Sequence, residues 1–152
     1  TDIGFNAKFS EYHAAIGLAQ LKKIGSVISN RMRVKEHYEM VLSGTGSVFR
    51  NPYMESINIP SVMPLHFSGP DIADCVELIL NQNGVQTRRW YSPSLHQQPA
   101  LKKFKTVFLD REPSQPTTSE LLNQTVVCVP FYGGLEGDHI EYIAAIVKSA
   151  LG

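Results

Sequence analysis

Thr125-Val126-Val127-Cys128-Val129-Pro130 is a run of β-branched residues closed by a proline, the composition of a short buried strand. Gly133-Gly134 follows as a turn, and residues 138–151 then place Ile140, Ile143, Ala144 and Val147 at the spacing of one helix face. A buried strand, a tight turn and an amphipathic helix in succession set the plan of the chain: helices laid on a small sheet.

Working outward, the same grammar recurs. Ser68-Gly69-Pro70-Asp71 opens a helix whose apolar stripe is Ile72, Cys75, Val76 and Ile79, closed by Asn83-Gly84. Val85-Gln86-Thr87-Arg88-Arg89-Trp90-Tyr91 has strand composition up to Pro93, a short helix is expected over 99–104, and another over 118–123 after a loop at 113–116. Further back, Val48-Phe49-Arg50 and residues 58–67 are apolar runs cut by prolines, which suit short or edge strands. Residues 10–42 show helical periodicity through Tyr12, Ala15, Ile16 and Ala19, then Ile24, Val27 and Ile28, then Val34, Tyr38, Val41 and Leu42. Ser10 is the expected N-cap, Gly25 a possible bend, and Ser43-Gly44-Thr45-Gly46 the stop. One long or gently broken helix here spans roughly 50 Å at ~1.5 Å per residue, more than a domain of this size uses internally, so it is expected to bridge to another body. The order of elements points to an α+β fold with helices on a small, mainly antiparallel sheet.

The 152 residues, 43% hydrophobic and 18% charged, suit a single globular domain that buries about two-thirds of its unfolded surface. Fourteen basic residues balance fourteen acidic ones, which argues against nucleic acid or an anionic membrane as partner. No apolar run approaches the ~18 residues of a membrane span. Cys75 and Cys128 each stand in an apolar run and read as reduced core thiols, consistent with a cytoplasmic address. The chain opens at Thr1 without methionine, which raises the expectation of a piece of something longer.

Phosphate-loop, dinucleotide and nucleophile-elbow motifs are missing from the sequence, and Gly44-Thr45-Gly46 reads as a helix stop. The histidines at 13, 37, 66, 96 and 139 form no pair at zinc-ligand spacing, so no metal site is expected. His13 and His37 fall on the long helix, His139 in the first turn of the last one and His66 in a strand. Two stretches concentrate chemistry. Thr87-Arg88-Arg89-Trp90-Tyr91-Ser92-Pro93-Ser94-Leu95-His96 combines guanidiniums, aromatic rings and an imidazole that suit an anion and a flat ligand, or else a strand with Trp90 in the core and an arginine in water. Gly4-Phe5-Asn6-Ala7-Lys8-Phe9-Ser10 sets an amide and an ammonium before a helix N-terminus, a place for a phosphate or simply a capped helix start.

Gly4-Phe5-Asn6-Ala7-Lys8-Phe9-Ser10-Glu11, with Ala14-Ala15-Ile16-Gly17-Leu18 and Gln20-Leu21, resembles the last third of the DegT/DnrJ/StrS aminotransferases. The similarity runs on through Arg31 and Tyr38, through Gly84-Val85-Gln86-Thr87-Arg88 with Tyr91, Pro93, Leu95 and His96, and through Val129-Pro130-Phe131-Tyr132-Gly133-Gly134-Leu135. The resemblance implies the small C-terminal domain of the type I aspartate-aminotransferase fold, residues 1–152 as one domain with 10–42 as its linking helix. It implies a pyridoxal-phosphate enzyme of nucleotide-sugar and polysaccharide biosynthesis, acting as a homodimer on a nucleotide-linked keto-sugar with an amino acid, usually glutamate, as donor. The large domain, with the Schiff-base lysine, would precede Thr1, so no catalytic residue is expected in this segment and the segment alone is expected to be inactive.

Residue by residue, the resemblance implies that Asn6 reaches the cofactor phosphate of the partner subunit. Lys8 stands beside it where many members carry arginine, keeping the charge without the bidentate fork. Arg88, Tyr91 and His96 match landmarks near the substrate cleft, with Ser94 replacing the more usual proline before Leu95. An apolar patch is expected around Tyr12 and Ile16, where the rest of the enzyme would pack. Two other readings stay open: a stand-alone α+β ligand-binding or regulatory module, and the same domain of a sugar dehydratase, in which a histidine replaces the lysine.

Overall fold

The computed structural model describes residues 10–47, 61–89, 91–101 and 117–152. Its elements are α1 (Glu11–Leu21), α2 (Ile24–Val41), β1 (Met63–His66), α3 (Pro70–Gln82), α4 (Thr118–Thr125), β2 (Val126–Val129) and α5 (Gly137–Leu151), with short 3-10 turns at Leu95–Gln97 and Pro99–Leu101. Val48-Phe49-Arg50 and most of the 58–62 stretch fall outside the described residues. No helix of the described residues is long and apolar enough to cross a membrane.

Ser10 caps α1 by accepting the His13 N–H at 3.3 Å. The expected long helix is broken, but at Lys22–Lys23 rather than at Gly25. Lys23 N–H turns to the carbonyl three residues back, Gln20 O at 2.9 Å, and Ser26 Oγ takes up Lys23 O at 2.8 Å. That tightened turn ends one helix and starts the next. α2 then runs to the glycine stop, where Gly44 and Gly46 hold φ of 84° and 69°.

β1 and β2 pair antiparallel in the register Met63↔Val129, Leu65↔Val127 and His66↔Val126. The other edge of β2 meets Arg88: Arg88 N–H reaches Cys128 O at 3.0 Å and Cys128 N–H reaches Arg88 O at 2.8 Å. Both polar groups of Cys128 therefore point away from β1, so Pro64, which lies opposite it, forfeits no ladder bond by lacking an N–H. The strand expected over 85–91 contracts to this one bridge among the described residues. Strand-forming residue types need a neighbour along their whole length, and among the described residues only position 88 has one.

The core lies between the sheet and three helices. Val34, Tyr38 and Leu42 from α2 and its C-terminus, Ala73, Val76 and Leu80 from α3, and Ile140, Ile143, Ala144 and Val147 from α5 close over Met63, Leu65, Val127 and Val129. α5 is the hub, packing against both α2 and α3. Its buried face is the one expected from spacing. On α3 the buried stripe is rotated from the expected one: Ala73, Val76 and Leu80 face inward, Ile72 is 37% exposed and Cys75 is exposed. Cys75 is thus not a core thiol, whereas Cys128 is buried, and burial pushes its thiol up to about 11. α4 runs two residues beyond the expected 118–123, and of the short helix expected over 99–104 the described part is the turn Pro99–Leu101.

Candidate functional site

The bridge at Arg88 organises the basic and aromatic segment. In an extended backbone alternate side chains face opposite ways, and here Thr87 and Arg89 share the side turned to α3. Thr87 Oγ1 donates to Glu77 Oε1 at 3.1 Å, while Arg89 Nε donates to Glu77 Oε2 at 2.7 Å. Arg89 Nη2 reaches Asp74 Oδ1 at 2.5 Å, and its Nη1 reaches Gln124 O at 2.9 Å. Arg88, between them, is exposed and lines a cavity of about 420 Å³ together with Gln86, Cys128, Pro130 and Phe131. The two adjacent arginines thus have separate fates, one neutralised inside an ion-pair knot and one offered to a cavity.

Tyr91 and His96 are not among the described residues that line this cavity. Tyr91 is 62% exposed. His96 is half-buried against α4, with Nε2 3.1 Å from Glu120 Oε1. The same carboxylate oxygen accepts Gln97 Nε2 at 2.7 Å, and the other oxygen of Glu120 accepts the Thr117 N–H. Thr117 Oγ1 returns the favour by accepting the Glu120 N–H at 3.0 Å, which completes a capping box. The Thr117 N–H first, and His96 after it, hold the Glu120 carboxyl down at about 2. Beneath lies Ser94, which accepts Asn123 Nδ2 at 2.6 Å. The segment after Pro93 is therefore fastened to the start of α4 through His96, and the three sequence candidates do not converge on one cavity. Asn6 and Lys8 lie outside the described residues.

Sequence reasoning missed Glu77, Asp74 and Glu120. The Thr117-x-x-Glu120 spacing is a readable cap signature, but nothing local marks Glu77 as the acid that gathers Thr87 and Arg89.

The far wall of the cavity is held by α2. Tyr38 Oη donates to Pro130 O at 2.9 Å, and burial raises its phenol far above the ordinary range. Arg31 stacks its guanidinium over Phe131 at 5.8 Å, and Arg33 Nη2 reaches Gly133 O at 3.4 Å. Gly133 passes so close that a Cβ there would stand 2.9 Å from Asn30 Cβ. The sequence landmarks Arg31, Tyr38 and the 129–135 stretch thus meet in space.

A second surface belongs to α1, which buries none of its residues. Leu18, Leu21, Ile24 and Val27 line an apolar groove of about 670 Å³, and Tyr12 and Ile16 are exposed as expected.

Compared with known proteins, residues 1–148 match the model of the DegT/DnrJ/EryC1/StrS aminotransferase family. The chain is 28% identical to the dTDP-4-amino-4,6-dideoxy-D-glucose transaminase of Escherichia coli, over 98% of this chain and 39% of that protein. It superposes on a DegT/DnrJ/EryC1/StrS aminotransferase from Brucella abortus with a TM-score of 0.80 and 20% identity, covering all of this chain and 38% of that one. It superposes likewise on PseC of Helicobacter pylori, an aminotransferase involved in the biosynthesis of pseudoaminic acid, with a TM-score of 0.78 and 19% identity over 99% and 40% of the two chains. The chain therefore spans about two-fifths of the length of the relatives it matches.

Proposed function

The chain belongs to the DegT/DnrJ/EryC1/StrS aminotransferase family, and from that premise we propose that it is the C-terminal portion of a pyridoxal-phosphate-dependent transaminase. The whole enzyme moves an amino group from an amino acid, glutamate in this reading, to a nucleotide-linked keto-sugar, and works as a cytoplasmic homodimer. The observation that carries the reading is the family match along nearly the whole chain, joined to a relative whose name specifies an amino-sugar of dTDP. Residues 1–152 then act as one small domain with 10–42 as its linking helices. The apolar groove of α1 supports this, because a large domain or partner subunit would cover it.

The chemistry of the residues this chain supplies fits pyridoxal phosphate. An amide and an ammonium, Asn6 and Lys8, directly precede the Ser10-capped start of α1, a donor set suited to a phosphate. No described lysine is placed to carry the cofactor: Lys35 is paired with Glu39 at 3.1 Å, Lys22 and Lys23 are exposed in the turn between α1 and α2, and Lys148 is exposed on α5. When bound, the cofactor supplies the electron sink through which nitrogen moves between carbon skeletons. In this division of labour Asn6 and Lys8 hold its phosphate, and Arg88 binds the anionic part of the sugar nucleotide from the cavity. Tyr91 borders the cleft, and His96, fastened to Glu120, fixes the loop that carries it.

The test uses the full-length protein. Its intact mass should exceed 16.9 kDa, and adding pyridoxal phosphate should produce the visible band of enzyme-bound cofactor. Asn6→Ala should weaken cofactor retention by about 1–3 kcal/mol, the loss of one charged hydrogen bond. A natural protein of this chain's mass, with no band and no amination of keto-sugar nucleotides, would leave the stand-alone module as the better reading.

A further inference from the structure

We infer that Arg89 is a positioning residue for the cavity, acting through Arg88. The inference rests on the reading of that cavity as the sugar-nucleotide site. Arg89 draws together three separate elements: Glu77 and Asp74 on α3, the carbonyl of Gln124 in the last turn of α4, and its own extended segment. The Gln124 carbonyl belongs to the final turn of a helix, where backbone acceptors lack intrahelical partners, so Arg89 also caps α4 just before β2 begins. β2 then carries Cys128, whose N–H and C=O both engage Arg88. The chain of contacts closes on itself, from Arg89 through α4 and β2 back to the neighbouring residue.

Burial separates the strong contacts from the weak. The Arg89 side chain is 14% exposed and Glu77 27%, whereas Asp74 is 68% exposed and adds little in water. Glu77 is the stronger anchor, and it also receives Thr87, which in turn accepts Asn81 Nδ2 at 3.0 Å. With Arg89 fixed on the α3 side and out of the cavity, alternation turns the Arg88 side chain the other way, where it lines the cavity with Gln86, while Thr87 and Asn81 form the cavity's edge on α3. A lysine at 89 keeps the charge but reaches these three acceptors without the planar fork.

The experiment is a double-mutant cycle in the full-length enzyme with R88A, R89A and the pair. KM for the keto-sugar nucleotide and the rate of the glutamate half-reaction are the readouts, together with amide exchange at Arg88 and Cys128. R89A should raise KM about tenfold, as a misplaced binding group does, and should leave the glutamate half-reaction within about twofold. Once Arg88 is gone, removing Arg89 should add nothing, and R89A should speed exchange of the two bridging amides. R89K, which keeps the charge, should show the same non-additivity with a smaller rise and stands in if R89A does not fold. Additive losses, or an unchanged KM in R89A, would overturn the positioning role. A wild-type enzyme inert toward all keto-sugar nucleotides would instead overturn the reading of the cavity, and unaltered exchange in R89A would overturn the anchor itself.

Discussion

α1 and α5 are both helices rich in apolar residues, yet α5 buries four side chains and α1 none. At about 100° per residue, Ile140, Ile143, Ala144 and Val147 fall within an arc of about 100°. Tyr12, Ile16, Leu18 and Leu21 spread over more than half the circumference of α1. A helix with one apolar stripe finishes its packing against one neighbour. A helix apolar on several sides is finished only when it is covered on several sides, which the other described residues do not do. The core around α5 and the surface of α1 are thus two kinds of structure, one complete and one waiting for contact.

Removing bulk from each side sharpens that contrast. Leu65→Ala, in the wholly buried centre of β1, should cost about 2–5 kcal/mol in urea unfolding of this chain. Gly133→Ala forces a Cβ against Asn30 and should cost about 1–3 kcal/mol by overpacking, with the loss read in the same unfolding curves. Leu18→Ala, on the exposed groove, should fall within about 0.5 kcal/mol of wild type. A loss at Leu18 as large as that at Leu65 would mean that α1 is packed in solution and would erase the distinction.

A fourth prediction concerns acid. The Glu120 carboxyl sits at about 2 instead of its usual 4.5, so the fold favours its charged form. That contribution is fully present above about pH 4.5 and is lost as the pH falls toward 2. Glu120→Gln, which keeps a side chain compatible with the capping box, should flatten the pH dependence of stability in this window, being less stable than wild type at pH 7 and converging with it in acid. An identical acid profile for the two proteins, followed by circular dichroism, would remove Glu120 from the acid response.

The parts of the fold that were legible in the sequence are those fixed by local pattern. The α5 face followed from i, i+3, i+4 spacing, the β2 strand from its valines, and the Ser10 cap and the Gly44–Gly46 stop from residue type. What the sequence hid was set by neighbours distant along the chain. Ile72 and Cys75 share a helical stripe as good as that of Ala73 and Val76, and only the small Ala73 side chain, wholly buried in a helix that packs on α5, marks which one faces inward. Val85 to Tyr91 has strand composition, but a ladder needs a partner, and among the described residues β2 supplies one only at Arg88. At the site, the cluster around Arg88 was visible as a concentration of cations and rings. The split between Arg88 and Arg89 was not, because it depends on Glu77, ten residues before Thr87 on another element.

The unequal fate of the two cysteines has a practical side. Cys128 lies within the sheet with its thiol pushed up to about 11, and so is nearly all protonated and sheltered at neutral pH, whereas Cys75 stands open on α3 one residue from Asp74. With only these two cysteines among the 152 residues, a maleimide dye or nitroxide would attach to this segment at a single known address without any engineering. A spectroscopic ruler anchored there could follow how far α3 stands from whatever comes to rest on α1.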